Sequence, residues 1–106
     1  MGIGYAREKL STAVRRALLH DGSLQERLAA GLNTGVGRLF STHRDCLPRE
    51  LQKKFDALWK VCTRRTDASG QHTPVELTVS KMTNTKTRKC LDELFTLYVR
   101  VAENLY

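Results

Sequence analysis

Proline and cysteine are scarce in this 106-residue chain, with two of one and three of the other. So little proline leaves long stretches free to be helical, because a proline inside a helix removes a hydrogen bond and clashes with the preceding turn. Seven glycines exclude a collagen-like or glycine-rich low-complexity sequence. No apolar run approaches the ~20 residues that a membrane-spanning helix requires, so no membrane association is expected. Arg7 and Glu8 interrupt the N-terminal apolar residues, and Ala6 stands where a myristoylation signal wants Ser or Thr. Neither a secretory leader nor an acyl anchor is therefore expected.

Cys46, Cys62 and Cys90 are odd in number, far apart and never in C-x-x-C spacing. That disfavours a zinc knuckle and a thioredoxin-type pair. The three read as small buried apolar residues of a cytoplasmic protein. Paired carboxylates at metal-ligand spacing are missing too, which disfavours a di-iron bundle, and no metal or other cofactor is expected.

What is present is globular: 41% hydrophobic and 27% charged residues, enough for one domain with a modest core, residues 1–106 as a unit. Fifteen leucines against eight valines and isoleucines lean the chain toward helix. From about Tyr5 to Leu19 the residues Leu10, Ala13, Val14, Ala17 and Leu18 share one helical face. His20-Asp21-Gly22 stops that helix, with Gly22 suited to a left-handed cap. Ser23 and Glu26 form an S-x-x-E capping box that starts a second helix, its apolar face running Leu24, Leu28, Leu32, Gly35 and Leu39.

Gly31, Gly35 and Gly37 crowd this second helix, although each costs about 0.8–1 kcal/mol relative to alanine in a helix interior. Gly31 and Gly35 lie a turn apart on the apolar side, which predicts either close packing of a neighbouring backbone or a helix that frays near Asn33. A phosphate-binding glycine loop would need a preceding strand and a third glycine where Phe40 stands.

Pro48 opens a third helix with Leu51, Phe55, Leu58 and Cys62 inward, flanked by Trp59, and residues 66–72 form a loop. Val75, Leu77 and Val79 alternate like a strand, yet Thr73 to Glu76 is a second capping box with proline at the first helical position. A lone strand has no partner, so residues 74–82 are expected to be a short helix. From Thr85 to Tyr106 the apolar residues sweep roughly 200° of arc, more than the ~100° a surface helix uses. That helix either lies centrally or buries its surplus against a second copy, which makes a homodimer the expected assembly and Trp59, Phe95, Val99, Ala102 and Tyr106 the interface candidates. The fold class expected is all-α, an antiparallel bundle of about four helices plus one short extra helix.

Charge is the other informative feature. Lysine and arginine number 18 against 11 acids, a net +7, which predicts attraction to polyanions. Residues 81–89 hold Lys81, Lys86, Arg88 and Lys89 with no acid, and Thr87 among them adds a hydroxyl. These residues crowd a predicted helix N-terminus, where backbone N–H groups and cations together can hold a phosphate or carboxylate. On the third helix Arg49, Lys53, Lys54, Lys60, Arg64 and Arg65 could extend such a surface along a phosphate backbone, although Glu50 and Asp56 interleave. The binding candidates are thus Lys53, Lys60, Arg64, Arg65, Lys81, Lys86, Thr87, Arg88 and Lys89.

No catalytic constellation emerges, and no catalytic residue is assigned. Arg15-x4-His20 and Arg38-x4-His43 match a loose arginine–histidine spacing of helical ribonucleases, a match that eleven arginines and three histidines produce about once by chance. Cys46 near His43 is a pair only along the chain. The expected function is a small non-enzymatic adaptor or regulatory module that binds a protein partner through helix faces. A nucleic-acid-binding protein using the basic helix faces is the alternative, and a helical ribonuclease-like enzyme a distant third.

Overall fold

Ala6, Leu10, Ala13 and Ala17, spaced 4-3-4, are the residues by which the first helix joins the core. In the computed structural model, which describes residues 2–103 and at Phe40 the backbone alone, that helix is α1, Ile3–Leu19. It is followed by α2 (Leu24–Leu32), α3 (Val36–Ser41), a 3-10 turn (Arg44–Cys46), α4 (Arg49–Cys62), α5 (Pro74–Val79) and α6 (Asn84–Ala102). The chain is all-α, with no strand among the described residues.

Both capping boxes form. Ser23 Oγ accepts the Glu26 N–H while Glu26 accepts the Ser23 N–H, and Thr73 and Glu76 do the same at the start of α5. That resolves the alternating stretch as helix: Val75 and Val79 are buried and Met82 partly so. Gly22 takes φ 140°, a conformation that side-chain-bearing residues rarely adopt, two residues beyond the His20 cap, so it serves the turn rather than the cap itself.

The second helix is shorter than its apolar face predicts. It stops at Leu32, and α3 restarts the same apolar run at Val36, buried along with Leu39. Thr34 marks the break, its hydroxyl donating to the Gly31 carbonyl at 2.8 Å, an alternative to helix continuation that threonine readily offers. Gly31 meets α1 at Ala13 and Ala17, and Gly35 meets Lys9, so α1 runs antiparallel to the α2–α3 segment. Cys62 adjoins Cys90, while Lys54 and Ala57 share a groove with Thr96 and Arg100, so α4 and α6 are also antiparallel.

Helix α6 lies centrally, packed against α1, α2 and α4. Its wide apolar arc is largely used within the chain: Cys90, Leu91, Leu94, Leu97 and Val101 are buried, and Phe95, Tyr98 and Ala102 half-buried. Only Val99, 43% exposed, remains of the described surplus, and Leu105 and Tyr106 lie outside the described residues. The three cysteines are buried, as expected of small apolar side chains. No helix among the described residues is long and apolar enough to cross a membrane.

Candidate functional site

Two surfaces stand out. The first is basic. Arg64 and Arg65 leave the end of α4, Lys81 follows α5, and Lys86 lies on the first turn of α6; together with Val61 and Thr83 they line a hollow of about 160 Å³. The two basic groups of the sequence, far apart along the chain, thus share one site. Its walls are fixed by local bonds. Thr78 Oγ1, on a buried side chain, accepts the Arg65 N–H at 2.8 Å and pins the chain as it leaves α4. Thr83 caps α6 by accepting the Lys86 N–H at 3.2 Å. Gln25 of α2 braces the turn between α5 and α6, donating to the Met82 carbonyl at 3.0 Å and to Asn84 Oδ1 at 2.9 Å. Among the described residues no carboxylate lines the hollow.

Arg49, Lys53 and Lys60 fall in one solvent-facing stripe of α4 and are exposed, as is Arg64 two residues beyond its end. Asp56, which interrupts that stripe in the sequence, is occupied: Arg44 Nε lies 3.1 Å from each of its carboxylate oxygens. The Arg44 hydrogen bonds hold the Asp56 carboxyl below its ordinary range, and this is the only ion pair among the described residues. Arg88 and Lys89 are exposed farther along α6.

Thr87 does not belong to the basic surface. It is fully buried, its hydroxyl donating to the Thr83 carbonyl at 2.8 Å, because its position on α6 falls on the core side. Lys54 also turns elsewhere, to the groove shared with Asp92, Glu93 and Arg100. Cys62 of α4 and Cys90 of α6 are buried neighbours, and the Cys90 thiol together with burial pushes the Cys62 thiol up.

The second surface is apolar and was mostly missed by periodicity. Leu18 and Leu19 are 61% and 75% exposed at the end of α1. They border a shallow hollow with Val14, Arg15 and Tyr98, and Val99 follows Tyr98 on α6. Leu18, expected on the buried face of the first helix, is thereby corrected. The narrower stripe of Ala6, Leu10, Ala13 and Ala17 is what packs, and Leu18 lies about 100° from Ala17 around the axis. The available signal was the leucine doublet itself, since adjacent helical positions cannot both point at one neighbour. Trp59 is accommodated inside the chain, stacked on Phe55 with ring centroids 6.4 Å apart and close to Gly37.

Two of the three histidines, His20 and His43, lie at helix ends. His20 caps α1 and borders a hollow with Arg15 and Arg16, whereas His43 lies edge-on to Tyr5 with centroids 4.9 Å apart. No group of three or more potential metal ligands occurs among the described residues. No protein-family model, curated protein sequence or solved structure matches this chain.

Proposed function

We propose that this chain is a non-enzymatic interaction module whose first partner is a second copy of itself, docked where the end of α1 meets α6. The observation that carries this reading is the exposure of Leu18 and Leu19 beside Val14 and Tyr98. Fully burying a leucine side chain is worth about 1.5–3 kcal/mol, and both of these leave most of that gain unused within one chain. The charges nearby support a two-fold arrangement. Arg15 and Arg16 are exposed on α1, and Glu103 is exposed just after α6. Laying α1 of one copy across α6 of the other sets arginines against carboxylates.

Light scattering across a dilution series tests this. The expected result is a mass of twice 12.0 kDa for the native chain and 12.0 kDa for L18E/L19E, with unchanged helix content. A native mass of 12.0 kDa at every concentration overturns self-association through this surface.

A second reading, nucleic-acid binding, is favoured by one separate observation: Arg64, Arg65, Lys81 and Lys86 converge on a hollow that no acid among the described residues lines.

A further inference from the structure

We infer that the hollow between the end of α4 and the α5–α6 turn seats a backbone phosphate of a nucleic acid, with the outer stripe of α4 as the track for neighbouring phosphates. This rests on the second reading above and assigns it a place. The hollow's volume of about 160 Å³ equals several waters at ~30 Å³ each, room for one phosphate group between the cations. Arg64 and Arg65 come from the end of α4, Lys81 from the α5–α6 turn and Lys86 from the first turn of α6, and none of the four has an ion-pair partner among the described residues. The α6 N-terminus adds the positive end of a 19-residue helix, and its first turn contains no acid.

A lone phosphate would fit the hollow, but the stripe argues for a chain of them. Arg49, Lys53 and Lys60 extend over about 16 Å of α4 at 1.5 Å per residue, and Arg64, just past the helix end, lines the hollow. Of the two acids that interleave with this stripe, Asp56 is neutralised by Arg44, which leaves only Glu50, exposed in the first turn of α4, to oppose an approaching phosphate. Among the described residues no aromatic side chain for stacking bases lines the hollow, which favours recognition of the backbone, independent of sequence.

The test is fluorescence anisotropy with random-sequence single-stranded RNA and duplex DNA, titrated across salt. It compares the native chain with R64A/K86A and with R7A/R38A, which removes the same charge from exposed positions away from the hollow. The native chain is expected to bind with affinity falling steeply in salt. R64A/K86A should bind about tenfold or more weaker, with a log–log salt slope shallower by about 2, while R7A/R38A changes affinity less than about threefold. Equal losses in the two variants would overturn the assignment of the hollow while leaving nucleic-acid binding in place. Absence of binding by the native chain would overturn both. Full competition by millimolar inorganic phosphate at constant ionic strength would replace the nucleic acid with a free anion as the occupant.

Discussion

Gly31 of α2 rests directly on the backbone of α1 at Ala13: a Cβ built on it stands 2.8 Å from the Ala13 carbonyl oxygen and 3.2 Å from the Ala17 Cβ. Neither neighbour can swing aside, so Gly31→Ala must push the two helices apart. Overpacking of this kind costs about 1–3 kcal/mol, against which the better helix propensity of alanine offsets at most about 1 kcal/mol. G31A is therefore expected to lower the urea midpoint. Gly35→Ala is the contrast, since its Cβ meets the Lys9 side chain, whose tail can move, and a change within about 0.5 kcal/mol is expected.

The Arg44–Asp56 pair makes stability depend on acid pH. The folded Asp56 carboxyl lies below its ordinary value of 3.8 because of the hydrogen bonds from Arg44. A depressed carboxyl contributes stability that is fully present above 3.8 and is lost as pH falls through the lower folded value. Asp56→Asn should accordingly lower Tm at pH 7, and the gap from the native chain should close as pH drops below the carboxylate range. The hydrogen-bonded carboxylates of Glu26 and Asp67 act in the same direction and remain in both proteins. A Tm gap that persists undiminished at pH 2 would assign the effect to packing rather than charge.

Thr78 links stability to the basic hollow. Replacing it with the isosteric valine leaves the part-buried Arg65 N–H without its acceptor, a loss worth about 1–3 kcal/mol. T78V should lower the denaturation midpoint by that amount and speed hydrogen exchange at the Arg65 amide. Thr78→Ser, which retains the oxygen, should preserve most of the exchange protection.

Helix starts were the most legible part of the fold. Ser23/Glu26 and Thr73/Glu76 are local signals, complete within four residues, and both capping boxes form as written in the chain. The break at Asn33–Gly35 was half legible: the glycines announced close packing or fraying, and the structure contains both, at Gly31 and just after Leu32. Burial of Leu18 and exposure of Thr87 were misjudged for one reason. Periodicity locates a helical face but not its width, which depends on neighbours contributed by distant segments. The basic hollow was legible only as two unrelated charge clusters. Their meeting depends on α4 running antiparallel to α6, a tertiary fact that no local spacing encodes.

Arg27 presents a cost that substitution can remove. It is half-buried on α2, and its Nε is buried with no hydrogen-bond partner among the described residues. A desolvated donor left unsatisfied costs about 1–3 kcal/mol, whereas the aliphatic stem of the same side chain gains from packing. Arg27→Met keeps a stem of similar length and deletes the donor, so the urea midpoint is expected to rise by the equivalent of about 1 kcal/mol. Arg27→Lys separates charge from the orphaned nitrogen, because lysine has no Nε–H beside its stem and can carry its ammonium out to water. If the buried donor is the cost, both variants are more stable than the native chain. A drop in midpoint for both would mean that the guanidinium holds α2 through its outer nitrogens, and the orphaned Nε would then be a tolerated by-product of that anchoring.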